Sequence, residues 1–407
     1  MTAVVVWGPE LSPFLLKLEA LLAYAGVPFR RLPRDGGRLE NLRTARRIEA
    51  ATRLKTAERP TGLDPLDEYP LVPFLLTPAG EILYDSSALA RWIDARQPPT
   101  AGPCFPADPA VAFVAQLVDE AFDEVGLYLV HHNRWVVAAR DNDAGRRLAD
   151  EYRRLRPPGA GMLLARWFSR RQVRRLPYLF SVAPDGFSMP GLPAALTPPS
   201  RPGFPATHAL LGTIWQRWVD GVEHVLAAGR PYLLGDRFTV ADASVYGQLS
   251  MNLTDPSAAR ALEARAPRTY AWLVAIRERR HAGSSGPLAL ASDLAPLLRA
   301  VLAVVPPLLR ANARAYATAI VAGERLFNEP AFDRGRALYD GALLGQPFRS
   351  VVKTFQVRSW NDLRAAWRAL PTEARDALAD LVGQRLDVHF GDEPTTAAEA
   401  AAGETET

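Results

Sequence analysis

The chain has a single cysteine, Cys104, in 407 residues. No internal disulfide, thiol–disulfide pair or cysteine-based metal site can form, and a reducing, cytoplasmic setting is expected, with no metal. Lysine is almost as scarce. It occurs only at Lys17, Lys55 and Lys353, so nearly all of the 48 basic residues are arginine. A net charge of +4 is compatible with nucleic acid or anionic lipid, but such uniform arginine use reads as genomic composition bias rather than a phosphate-binding face. No nucleic-acid partner is expected. The N-terminus shows no basic region followed by an apolar run and cleavage site, so no secretory signal is expected. The apolar stretch from Leu288 to Leu309 is interrupted by Asp293, Arg299 and Pro306-Pro307. A span needs about 20 predominantly apolar residues, so a buried helix broken at the proline pair is expected there and no integral membrane segment.

What is present is length and apolar content. With 48% apolar residues the chain can bury a large core, and 407 residues favour two or three domains. The 35 prolines and 28 glycines imply many breaks. Ala3 to Trp7 is a β-branched run that reads as a buried strand. Ser12 and Pro13 then form a helix start, with apolar positions from Phe14 to Ala25 on one face and Gly26 as the stop. Val27 to Leu32 suggests a second strand, Leu39 to Lys55 an arginine-rich helix, and Leu71–Thr77 with Glu81–Tyr84 a strand pair. Asp85 to Ala95 returns to helix. The expected order is β-α-β-α-β-β-α, with right-handed crossovers joining the first three strands.

Gln97 to Pro109 reads as a linker. Beyond it helical periodicity dominates, over Val111–Arg140, His208–Ala228, Val240–Leu253 and Pro267–Arg280. The division expected is a sheet domain over 1–98, an all-α domain over 105–287 with an insertion at 141–207, a mainly helical unit over 288–390, and a disordered acidic tail over 391–407.

Three short signals carry chemistry. Ser12 opens a helix after a strand, where its hydroxyl and the helix dipole could stabilise a thiolate; the alternative is a plain N-cap. Val72-Pro73 precedes a strand and, with a cis bond, would offer a backbone edge to an extended peptide; the alternative is a strand-entry proline. Asp85-Ser86 opens a helix, where backbone amides and the Ser86 hydroxyl suit a carboxylate and Asp85 suits an ammonium; the alternative is again capping. One thioredoxin-like sheet would gather all three at one edge.

The run Ser12-Pro13-Phe14-Leu15-Leu16-Lys17-Leu18-Glu19, followed by Gly26-Val27-Pro28-Phe29, resembles the first helix and second strand of the glutathione S-transferase superfamily. Its Lys-Leu-Glu variant looks most like the failed-axon-connections and metaxin branch. Val72-Pro73 matches that superfamily's cis-proline position, and Asp85-Ser86 its motif for the γ-glutamyl end of glutathione. Tyr232 to Asp242 resembles its segment entering a buried helix, with Thr239 and Asp242 at capping-box spacing.

The resemblance implies an α+β fold, with a thioredoxin-like domain followed by an all-α glutathione-transferase C-terminal domain carrying a long insertion and an extra C-terminal unit. It implies Ser12 as the thiolate-stabilising catalytic residue and Phe14, Val72, Pro73, Asp85 and Ser86 as glutathione contacts. Tyr128, His132 and Trp135 would line the pocket for a small-molecule electrophile, with glutathione as co-substrate, a homodimer as the assembly and detoxification as the role. The other reading is a non-catalytic binding or scaffold protein on the same fold. Residues between Arg30 and Pro70 cannot be matched to the family. The five arginines from Arg166 to Arg175, around Trp167 and Phe168, read as a solvated helix face or a cover for an anionic ligand or membrane surface.

Overall fold

A computed structural model describes residues 3–67, 71–96 and 98–391; the expected acidic tail beyond Gly391 lies outside them. The β-branched run forms β1 (Val4–Trp7), and helix α1 (Pro13–Tyr24) follows it. Ser12 caps that helix, its Oγ accepting from Leu15 N at 3.4 Å, and Pro13 occupies the first helical position. The helix ends in a Schellman motif: Gly26 takes φ +67°, its amide reaches Ala23 O, and Val27 N reaches Leu22 O at 2.9 Å.

Strand β2 (Phe29–Leu32) pairs parallel to β1. Helix α2 (Arg38–Leu54) crosses to β3 (Phe74–Leu76) and β4 (Ile82–Tyr84), and α3 (Ser86–Arg96) closes the unit. The sheet order is β2-β1-β3-β4, with β3 antiparallel to both of its neighbours. This corrects one expectation. Only the first connection, through α1, joins parallel strands; β3 runs the other way, so the path through α2 is not a parallel crossover.

The segment between the first two layers is not a free linker. Asp94 accepts the amides of Cys104 at 2.6 Å and Phe105 at 3.0 Å, and Val240 N donates to Cys104 O at 3.0 Å. Cys104 is fully buried, and burial pushes its thiol well above the usual range. The chain's only thiol is therefore held in its unreactive form.

The long helix expected over Val111–Arg140 begins as α4 (Pro109–Ala121), capped by Asp108. Two π-turns, Phe122–Gly126 and Asn133–Val137, flank α5 (Leu127–His132). The region expected as an insertion holds two helices, α6 (Ala144–Glu151) and α7 (Gly161–Arg174), ahead of a proline-rich coil. On α7 the five-arginine segment faces largely outward, with Trp167 58% exposed. Then follow α8 (His208–Ala227), α9 (Val240–Leu249), α10 (Pro256–Arg265) and α11 (Pro267–Arg277). Helix α9 is buried along its whole length and lies on α1. Gly247 permits that approach, since a Cβ there would sit 2.6 Å from Pro13 O and 2.9 Å from Lys17 Cβ.

The C-terminal part comprises α12 (Ala295–Leu302), α13 (Val305–Val321), α14 (Asn328–Asp333), the hairpin β5 (Leu338–Leu343) and β6 (Gln346–Val351), α15 (Thr354–Ala369), α16 (Thr372–Val382) and α17 (Asp387–Phe390). The break between α12 and α13 falls just before Pro306-Pro307, which then occupy the first turn of α13. Ser292–Val321 is long and apolar enough to cross a membrane, yet 61% of its apolar 18-residue window is buried within the fold. The hairpin was not expected from the sequence. One continuous core runs from Val4 through α4, α8 and α9 to Phe390, so the C-terminal helices share the interior of the first two layers.

Candidate functional site

The end of the sheet nearest α3 and α4 carries a cleft of about 250 Å³. Phe14 from the first turn of α1, Val72 and Pro73 ahead of β3, and Asp85 and Ser86 at the start of α3 all line it. The Val72–Pro73 peptide is cis. Tyr128 of α5 lines the same cleft, so six of the nine residues singled out from the sequence meet in one place.

The other three lie elsewhere. Ser12 is buried and is not among the lining residues; its Oγ faces the Leu15 amide as a cap. His132 is enclosed in the helical core, with Nδ1 2.8 Å from Ser181 Oγ and its ring against His208 at 4.8 Å. Burial holds its imidazole neutral, with a pKa pushed down to about 3. Trp135 packs with Leu11, Ala144 and Leu148 in a separate small core and meets Phe168 edge-on. Trp135 follows helix geometry: from Tyr128, a residue seven positions on shares a face only in an unbroken α-helix, and the π-turn at Asn133 ends that register.

Charge dominates one wall. Asp85 holds a positive φ of 73° and caps α3, its Oδ1 accepting the amides of Ser87 at 3.1 Å and Ala88 at 3.0 Å. Its Oδ2 accepts Arg59 Nε at 2.7 Å and Arg358 Nη1 at 3.2 Å. Although burial alone would raise it, these two guanidiniums bring the carboxyl pKa down to about 2. Arg358 also reaches Asp67 Oδ1 at 2.8 Å. Across the cleft the π-turn carries Asp123 and Glu124, and Glu120 lies one turn earlier. Burial, reinforced by Asp119 and Glu124, pushes Glu120 up to about 8.

The C-terminal part supplies the third wall, through Lys353, Phe355 and Arg358. Lys353 donates to the Tyr128 hydroxyl, and its ammonium lies 4.3 Å and 4.9 Å from the ring centroids of Tyr128 and Tyr178. Gln356 Nε2 also donates to Tyr128 Oη at 2.8 Å, and Ser359 Oγ to Glu124 at 3.1 Å. None of Arg59, Asp67, Lys353, Phe355 or Arg358 was singled out from the sequence. Lysine scarcity was a usable signal for Lys353; nothing local marked the others. Among the described residues, no group of three or more His, Cys, Asp or Glu side chains is arranged to hold a metal ion.

Residues 206–281 match a family model described as glutathione S-transferase, C-terminal domain. No curated protein sequence matches the chain. Among solved structures, it is similar to a glutathione S-transferase of Ceriporiopsis subvermispora in complex with glutathione, at 17% identity and a TM-score of 0.42, covering 68% of this chain and 98% of that one. It is also similar to glutathione transferase GSTFuA2 of Phanerochaete chrysosporium, at 16% identity and 0.41, covering 69% and 100%. A third is FzlA of C. crescentus, at 14% and 0.36, covering 74% and 92%. With its four-stranded mixed sheet leading into a helical domain that the family model matches, the chain has the α+β fold of the glutathione S-transferases.

Proposed function

We propose that this protein binds glutathione, or a closely related acidic thiol peptide, in the cleft at the sheet edge. The observation that carries the reading is the convergence of Phe14, Val72, Pro73, Asp85 and Ser86, from three separate loops and helix starts, on one cleft also lined by Tyr128. Val72 offers its backbone to an extended peptide, and Ser86 stands at the positive end of α3, suited to a carboxylate. The side lined by Leu127, Tyr128 and Leu179 gives an apolar companion its place. The finer assignment to the failed-axon-connections and metaxin branch rests on the Lys-Leu-Glu variant alone.

Binding is better supported than turnover. A thiolate-stabilising hydroxyl must reach the ligand's sulfur, and Ser12 is buried and is not among the residues that line the cleft. We therefore favour a binding protein with little or no transferase activity, acting in the reducing cytoplasm, and take conjugation of an electrophile, with detoxification as its role, as the second reading. Calorimetric titration with glutathione, repeated as a thermal-shift assay, tests the first: a ligand bound only by the native state must raise its melting temperature. Absence of binding by the wild-type chain would sink it. Conjugation to a generic aryl halide decides the second; a wild-type rate that Ser12→Ala abolishes would establish turnover.

A further inference from the structure

Asp85 stands where the ammonium of a γ-glutamyl ligand would be received, but its carboxylate is already saturated. A carboxylate offers about four acceptor sites. Two go to the Ser87 and Ala88 amides at 3.1 and 3.0 Å, and two to Arg59 Nε at 2.7 Å and Arg358 Nη1 at 3.2 Å. The neighbouring Asp67 is taken by the same two guanidiniums, at 2.8 Å from Arg358 and 3.8 Å from Arg59. Two carboxylates therefore face two arginines, which stay charged at any working pH. No acceptor site on Asp85 is left for a third cation.

Arg358 belongs to α15, which is pinned to the far wall by Ser359 on Glu124 at 3.1 Å and Gln356 on Tyr128 at 2.8 Å. Its side chain is only 14% exposed, so the guanidinium is a fixture of the cleft rather than a passing surface contact.

Resting on the reading above, we infer that Arg358 acts as an internal substitute for the ligand's ammonium, so that this cleft selects acidic acyl peptides lacking that group over glutathione itself. Ligand ammonium and guanidinium compete for the same oxygens. An acyl chain ending in a carboxylate alone meets no such conflict.

The test is calorimetric titration of the full chain with glutathione and with glutaryl-cysteinyl-glycine, which replaces the ammonium by hydrogen. Wild type is expected to bind the des-amino peptide about tenfold tighter or more. Arg358→Gln should reduce that preference by about tenfold, while Arg358→Lys, which keeps the charge, should retain most of it. Tighter binding of glutathione by wild type, or an unchanged ratio in Arg358→Gln, overturns the inference and leaves a glutathione site standing. If neither peptide binds wild type, the glutathione reading itself fails, and the inference with it. Should Arg358→Gln not fold by circular dichroism, the wild-type ratio alone decides.

Discussion

The ammonium of Lys17 sits 2.6 Å from Asp119 Oδ1, and this pair joins the first helix of the sheet layer to the first helix of the helical layer. Both side chains are almost completely buried. Asp123 at 2.7 Å and Ser87 Oγ at 2.7 Å complete the ammonium's partners, and the two carboxylates hold its pKa above the usual lysine range despite burial. Removing one member of a buried pair costs about 3–5 kcal/mol because the remaining charge is left uncompensated. Lys17→Met should lower stability by an amount in that range, read as a reduced urea midpoint. A change below about 1 kcal/mol would show that the carboxylates are served by water instead.

The Asp242 carboxylate ties three donors together at the entrance to α9. It accepts Leu233 N at 2.8 Å, Thr239 N at 2.9 Å and Thr239 Oγ1 at 2.8 Å, all within the buried core. An unsatisfied buried donor costs about 1–3 kcal/mol, so Asp242→Ala should destabilise by about 2–5 kcal/mol. Asp242→Asn keeps an acceptor oxygen and should fall between. Equal midpoints for wild type and Asp242→Ala in guanidinium would refute this account.

Stability should also fall as pH rises from weakly acidic to alkaline, with Glu120 a principal cause. Its pKa is raised from 4.5 to about 8 in the fold. Below 4.5 both states hold the proton and the contribution is complete. Between 4.5 and 8 the unfolded chain releases it while the folded chain keeps it, so stability is lost progressively across that window. Glu19, raised to about 7, acts in the same sense. His131 and His132, lowered from 6.5 to about 3, act oppositely, losing their contribution as pH falls through that interval. Glu120→Gln should melt with wild type at pH 5 and above it at pH 8. A constant difference at both pH values would count against Glu120 as the titrating group.

Much of the cleft was legible because it depends on local rules that sequence displays: a serine and proline at a helix start, an X-Pro before a strand, an acid and serine opening a helix. Those rules placed Phe14, Val72, Pro73, Asp85 and Ser86 together. They could not separate a cap from a ligand contact at Ser12, since both uses begin from the same position. Trp135 was displaced by a π-turn, whose one extra residue per turn leaves no compositional trace, and His132 is held in the core by Ser181 and His208, partners distant in sequence. The hairpin β5–β6 was hidden for a related reason. Its two-residue turn is Leu344-Gly345, both at positive φ, where an Asn-Gly would have announced it. Arg358 reaches Asp85 across 273 positions, a juxtaposition that only packing creates. Lysine was the overlooked clue: in an arginine-biased chain, two of its three lysines are 1% exposed and bind the layers together.

The unbroken interior from Val4 to Phe390 bears on how the molecule comes apart. Because Trp367 and Phe390 pack on Phe113 of α4, at 5.2 and 5.4 Å between ring centroids, the C-terminal helices have no interior of their own to melt separately. Heating should give a single cooperative transition in which sheet, helical layer and C-terminal helices are lost together. Cutting the chain ahead of α12 would strip the inner surfaces of α4 and α8 and leave the remainder prone to associate rather than to stand alone.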